Sequence, residues 1–483
     1  MEPALPIPLR LPPDGSRTLL RGLHEQLKSA ILDGRLQPGL RLPATRTLAA
    51  TYGISRNTAI AAYDLLLSEG YVVTRARSGA YVSDALQYAR QAKRPRSMPA
   101  IDRRLNAFWR DCPPLMPTSL QWSTRFDFKL GVTDKRLFPF DIWRRLSARA
   151  LRMFGGQPAA YAAPQGQRAL RDAIAKHISF ARAVACRADD IFVTAGSQQA
   201  FDLLARILVT SSRTIVAVEN PGYPALRTAL AAAGARIVGV PIDSEGIVVD
   251  RVPQDAQIVC VTPSHQFPLG TAMSPRRRAA LLEFAHARGA IIVEDDYDGE
   301  FRFGGRPLDA LQSLDRTESV FYVGTFSKSL FPGIRIGFIV APSWAHKALH
   351  AAKQCSDFHC AVLDQDTLAA FIGDGHMARH VRRMRHIYAH RLARLLDGLE
   401  RHFARSLTPI PSAAGLHVTA FGRSHREIDI VVQRARNADV GVYPLRPYYV
   451  DGPARPGLLF GYGAIDDDGI DEGLDRLRRV WPK

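Results

Sequence analysis

The chain is poor in cysteine: Cys112, Cys186, Cys260, Cys355 and Cys360 are scattered over 483 residues and form no CxxC pair. That spacing argues against a zinc knuckle or a redox dithiol, predicts no metal site, and suits a reducing compartment. No run of about 18 uncharged apolar residues occurs, so no membrane span is expected. The stretch MEPALPIPLRLPPDG is broken by proline and lacks the apolar core of a secretory signal. A cytoplasmic location is the expectation. Acidic residues are also in deficit, 46 against 64 Lys and Arg, for a net charge of +18. That balance favours an anionic partner, nucleic acid before a membrane surface, unless it reflects only arginines on solvated helix faces. The length predicts two or three domains.

Residues 15–84 are read as the first domain. Leu20, Leu23, Leu27, Ala30 and Ile31 recur at helical spacing, with Gly34 as the stop. A second helix begins in LPATRTLAATYG, with Pro43 at its first turn and Gly53 at its end. Ser55 caps a third, on which Ala59, Tyr63, Leu66 and Leu67 form the apolar stripe and which Gly70 ends. Two β-prone runs, YVVT and AYVS, then form a hairpin that turns at Gly79. This is the plan of a helix-turn-helix with a wing, which lays its second helix in the DNA major groove. Ser55, Arg56, Asn57 and Thr58 open that helix and have base-edge and phosphate chemistry. Arg46, Arg75 and Arg77 are placed to hold the backbone. A capped helix with a solvated arginine face would read the same on periodicity alone.

The string LPATRTLAATYGISRNTAIAAYDLLLSEGYVVTRARSGAYV resembles the DNA-binding domain of the GntR family, and the resemblance covers nearly all of residues 18–84. It implies that Arg46, Ser55, Arg56, Asn57, Thr58 and the wing residues Arg77, Ser78 and Gly79 contact promoter DNA. Ile60 stands where several members carry arginine, which removes a phosphate contact. Residues 85–122, Pro- and Arg-rich and without a sustained period, are read as an exposed linker.

From residue 123 to 483, Val/Ile-rich strands alternate with helices, which predicts a mostly parallel α/β sheet with its site at the carboxyl ends of the strands. The informative residues fall at those ends. Gly196, Ser197 and Gln198 open a helix and offer backbone N–H groups to a phosphate. Tyr223 follows a strand and can cover a flat ring. Asp295 and Tyr297 lie at the end of AIIVEDDYD, where a buried acid needs a partner. Lys328 follows the next strand, with Thr325 and Arg335 nearby. A lysine able to lose its proton forms a Schiff base, and a carboxylate keeps a pyridine nitrogen protonated. Together these are the parts of a pyridoxal 5′-phosphate (PLP) site.

Residues 125–480 resemble the fold-type I aminotransferases. The whole chain resembles the MocR/GabR subfamily of GntR-family regulators, through LFPFDIWRR, YAAPQGQRALRDAI, NPGYP, TPSHQFPLGTAMS, VEDDYDGEFRF, GTFSKSLFPGIRIGF and GHMARHVRRMR. The fold implied is an N-terminal winged helix-turn-helix plus an α/β fold-type I PLP-dependent aminotransferase-like domain. The resemblance makes Lys328 the lysine that joins the cofactor, Asp295 the partner of its ring nitrogen, and Tyr297 that of its phenolic oxygen. Tyr223 stacks on the ring, Arg335 and Thr325 bind phosphate, and Tyr161 reaches the phosphate of the partner in a domain-swapped, head-to-tail homodimer.

Two departures bear on activity. Phe267 replaces the asparagine of the enzymes' Asn-Pro-x-Gly, with His265 or Gln266 as compensating donors. Gly457 stands where the substrate-carboxylate arginine is expected, and Arg455 is two residues away. Both favour sensing of an amine, an amino acid or PLP itself over turnover, with steady transamination as the alternative and a half-reaction between them.

Overall fold

The computed structural model describes residues 5, 7–12, 16, 18–75, 78–84, 104–112, 124–156, 158, 160–304 and 308–482. The chain divides into two compact units, Met1–Asn106 and Ala107–Lys483.

In the first unit, α1 (Leu19–Asp33) buries Leu19, Leu23, Leu27, Ala30 and Ile31 and stops at Gly34, whose φ of 81° only glycine adopts without cost. The α2 helix (Thr45–Tyr52) starts later than the proline signal suggests. Ala44 is its N-cap and Pro43 lies one residue outside, where the Pro43 carbonyl accepts from the Tyr63 hydroxyl at 3.0 Å. The α3 helix (Arg56–Ser68) buries Ala59, Ala62, Tyr63 and Leu66, and the Ser55 side chain accepts from the Thr58 N–H. A cap of this kind stabilises by about 1 kcal/mol. The wing pairs β1 (Val72–Arg75) with β2 (Gly79–Val82), Arg75 opposite Gly79.

The second unit is built on an eight-stranded sheet. Its strands are β3 (Ile191–Thr194), β4 (Ile215–Asn220), β5 (Arg236–Asp243), β6 (Gly246–Ile247), β7 (Ile258–Val261), β8 (Ile291–Asp296), β9 (Val320–Thr325) and β10 (Gly337–Val340), in spatial order β3-β10-β9-β8-β7-β4-β5-β6. Pairs β9–β8, β8–β7, β7–β4 and β4–β5 are parallel. Strand β10 is antiparallel to both neighbours. It returns after a connection too short for a crossover helix. Nearly every residue of the central strands is buried, because helices cover both faces, which is why they read as continuous apolar runs. Helices α4 (Ser197–Leu208) and α5 (Pro224–Ala232) follow β3 and β4. Beyond α6 (His376–Phe403), a four-stranded sheet of β11 (Thr408–Pro409), β12 (His417–Phe421), β13 (Tyr443–Pro444) and β14 (Gly457–Gly461), in order β11-β12-β14-β13, packs with α7 (Asp467–Val480) around a second core. No helix of the described residues is long and apolar enough to cross a membrane.

Candidate functional site

Parallel strands align their carboxyl ends at one edge, and the predicted side chains gather there, Tyr161 excepted. Lys328, in the loop after β9, donates to the Gly131 carbonyl at 2.6 Å. Burial lowers the pKa of its ammonium; Asp298 and Asp295 oppose that shift, and Arg335 adds to it. Gly131 has φ +66°, and a Cβ there would lie 2.5 Å from the lysine Nζ. Sequence reasoning missed this glycine, because nothing local to residue 131 signals a lysine that arrives from nearly 200 residues away.

Asp295 is the last residue but one of β8 and is 5% exposed. Its Oδ1 has no hydrogen-bond partner among the described residues. Burial, with Asp296, Asp298 and Glu219 nearby, raises its pKa well above the ordinary value, and Lys328 opposes the rise. Burial and then Asp295 push the Tyr223 phenol up to about 12, with Arg335 opposing the rise. Asp295 and Arg335 therefore each act electrostatically on both Tyr223 and Lys328. The Tyr223 ring stands edge-on to Phe267 at 5.8 Å.

Arg335 lies against the opening of α4. It donates to the Ala195 carbonyl at 2.8 Å, and its own φ of 49° is the left-handed conformation that non-glycine residues rarely hold. Gly196, at φ +80°, makes room, since a Cβ there would come within 2.6 Å of the guanidinium. Ser197 is the first residue of α4. The Gln198 amide turns away to the Ala225 carbonyl at 3.2 Å, so what Gln198 offers the cradle is its backbone N–H. Thr325 gives its hydroxyl proton to Ser327 Oγ at 3.1 Å and accepts from the Ser327 N–H. Ser327, buried and beside the lysine, joins the cradle without having been singled out from the sequence. Tyr161 stands apart, 81% exposed, with its ring against Phe358 at 5.2 Å.

Tyr297 is held by His265. Its hydroxyl donates to the His265 carbonyl at 3.0 Å and lies 2.9 Å from Nδ1. The same Nδ1 meets Asp298 Oδ2 at 2.9 Å, and Nε2 meets Ser412 Oγ at 3.2 Å. Gly415 closes over this ring, and a Cβ there would lie 2.0 Å from His265 Cε1. Gln266 is committed elsewhere: Nε2 donates to Glu219 Oε2, Pro221 O and Phe267 O, and Oε1 accepts from Leu269 N–H. Of the two residues named as compensating for Phe267, His265 is the one that reaches Tyr297.

The second departure also has a physical cause. A Cβ at Gly457 would lie 2.8 Å from the Ala420 carbonyl and 3.2 Å from Leu445, so β14 has no room for a side chain there. Arg455 does not substitute for it, since its guanidinium stacks on the Phe421 ring at 3.5 Å.

Glu219, the last residue but one of β4 and four residues before Tyr223, is 4% exposed. Its Oε2 accepts from Thr262 and Gln266, whereas its Oε1 has no partner among the described residues. Burial pushes the carboxyl from 4.5 up to about 7. Between those values the unfolded chain releases the proton and the folded chain keeps it. Stability is therefore present in full below pH 4.5 and falls as pH rises toward 7, by on the order of 3 kcal/mol. Glu219→Gln keeps the oxygen and removes the titration. Its melting temperature should match wild type near pH 4.5 and exceed it by several degrees at pH 8; equal melting at both pH values would show that the carboxyl is not strained.

On the DNA-facing unit, Arg46, Ser55, Arg56, Asn57 and Gly79 are exposed, and Thr58 and Ser78 are half-buried. The Ser55 and Thr58 hydroxyls are tied to each other at 2.8 Å, and Ser78 Oγ pairs with the Tyr81 hydroxyl at 2.6 Å. Arg77 lies outside the described residues. Arg41, unsignalled by any motif, bridges to Tyr81 and lies 3.6 Å from where a Gly79 Cβ would sit, at the base of the wing.

Comparison with known proteins matches residues 20–82 to the bacterial regulatory proteins of the gntR family and residues 129–477 to aminotransferase class I and II. The chain is 36% identical to the probable rhizopine catabolism regulatory protein MocR of Rhizobium meliloti, over 97% of this chain and 94% of that one. It is 31% identical to the pyridoxine biosynthesis transcriptional regulator PdxR of Corynebacterium glutamicum, over 96% of each. Among solved structures, the α-aminoadipate aminotransferase LysN of Thermus thermophilus, complexed with N-(5′-phosphopyridoxyl)-L-leucine, matches with a TM-score of 0.69 at 28% identity, over 75% of this chain and 93% of that one. A gntR-type helix-turn-helix joined to a fold-type I aminotransferase domain, with regulators as full-length relatives, makes this chain a transcriptional regulator that belongs to the MocR subfamily of the GntR family.

Proposed function

We propose that this regulator binds PLP at Lys328 and reports, through that site, the level of an amine or of PLP itself to promoter DNA. The observation that carries the reading is the unpartnered Asp295 Oδ1, buried beside Lys328 at a strand end. An orphaned buried carboxylate oxygen is costly, and the ring N–H of PLP is a donor of the right kind. PLP supplies a carbonyl for an amine to capture and a ring that withdraws electrons. The chain's own residues do the rest. Burial holds Lys328 ready to lose its proton, His265 and Asp298 fix the Tyr297 hydroxyl, and Tyr223 backs the ring. Arg335, Ser327 and the α4 N-terminus hold the phosphate. The exposed Tyr161 suits a site completed across a head-to-tail homodimer.

The filled position at Gly457 and the engaged Arg455 favour an effector that needs no arginine clamp on a carboxylate. That is an amine, or PLP alone, and similarity to a pyridoxine biosynthesis regulator supports the second. Both fit a cytoplasmic regulator better than steady transamination. Fluorescence anisotropy of the full chain on its upstream intergenic DNA, without PLP, with PLP, and with PLP plus a panel of amines, tests this. A change on PLP alone makes the cofactor the signal; a change only with an added amine makes that amine the signal. Unchanged affinity in all arms would sink the proposal.

A further inference from the structure

Of the residues of α3 that face away from the core, Arg56, Leu65 and Ser68 aside, Asn57, Ile60, Ala61 and Asp64 are set against buried Ala59, Ala62, Tyr63 and Leu66. At ~100° per residue they form one stripe. Ser55 and Thr58 have their hydroxyls tied into the cap. The side chains left to read DNA are therefore few; Leu65, 40% exposed, lies past Asp64, and the apolar branched chain of the first two turns is Ile60, 37% exposed. It lies one turn beyond Asn57, on the helix that this type of domain lays in the major groove. It carries no hydrogen-bonding group, so it reads no base edge and holds no phosphate. The group in the major groove that such a side chain can recognise is the C5 methyl of thymine. Asp64 follows one turn later, exposed and anionic. It disfavours phosphates nearby and confines reading to the first two turns.

We propose that Ile60 is a specificity-determining residue that packs against a thymine methyl in each operator half-site. This rests on the DNA-binding reading of the first unit. The test starts from sites selected out of random double-stranded DNA by the full-length protein. Each thymine is then replaced singly by uracil, which removes the methyl and keeps the pairing. At one position per half-site, wild type should lose about fourfold in affinity, the value of one buried CH₂-sized group. Ile60→Ala should be insensitive at that position while responding normally elsewhere. Ile60→Arg should also lose the discrimination, and its salt dependence should steepen by about one counterion. Equal uracil penalties in wild type and Ile60→Ala at every thymine would overturn the proposal and leave the domain a DNA reader. Failure to enrich any site would overturn the DNA reading as well.

Discussion

Lys328→Ala protein, treated with borohydride in the presence of PLP and then gel-filtered, should carry no cofactor, whereas wild type should retain one per chain. The effect is near-total because the amine that bonds PLP is gone, and nothing else at residue 328 can replace a covalent bond. The fold should survive. Lys328 moderates the raised pKa values of Asp295 and Asp298, and without it both carboxyls simply stay protonated to higher pH. Circular dichroism and an unchanged oligomeric state would confirm that. Lys328→Arg separates the roles, since it restores a cation beside the carboxyls but no nucleophile, and should also fail to fix PLP. A borohydride-stable adduct in Lys328→Ala, located by mass spectrometry on another lysine, would move the site.

Arg56→Ala should weaken binding to a selected DNA site by roughly 5- to 150-fold, which is the effect of losing a base or phosphate contact of 1–3 kcal/mol. Arg56 is the first residue of α3, exposed, and without an ion pair among the described residues. Alanine is at home in a helix, and the Ser55 cap does not depend on the arginine. PLP content should therefore be unchanged. The salt dependence tells the two contacts apart. A slope lower by about one would mark a phosphate contact, and an unchanged slope with relaxed preference at one base would mark base reading. Joint loss of DNA and PLP binding would make Arg56 a structural residue.

The two assignments differ in how much of them local sequence could carry. Local signals were strongest where one element makes its own case. Ser55 is a cap by its position before an apolar stripe, and Gly34 and Gly53 are helix stops because their positive φ favours glycine. The run AIIVEDD is a buried strand ending in acids because parallel strands are covered on both faces. Pro43 misled by one residue, because helix starts are set by the cap and not by the nearest proline. The antiparallel β10 and the four-stranded sheet of the smaller lobe went unread. Their strands are short, and their pairing depends on chain returns that periodicity does not encode.

Residue chemistry and chain order were enough to specify a DNA-reading unit and an α/β unit, and they pointed to a lysine, an aspartate and two tyrosines as the parts of a PLP site. Tertiary contact decided the remainder. It opposed Gly131 to Lys328, left Asp295 Oδ1 without a partner among the described residues, and committed Gln266 to Glu219 while His265 took up Tyr297. It also closed Gly457 against the Ala420 carbonyl, so that no arginine can stand there. Each of these is a distance between residues far apart in the chain. A sequence lists which groups are available, but burial and room, which set their pKa values and partners, arise only when the chain has packed.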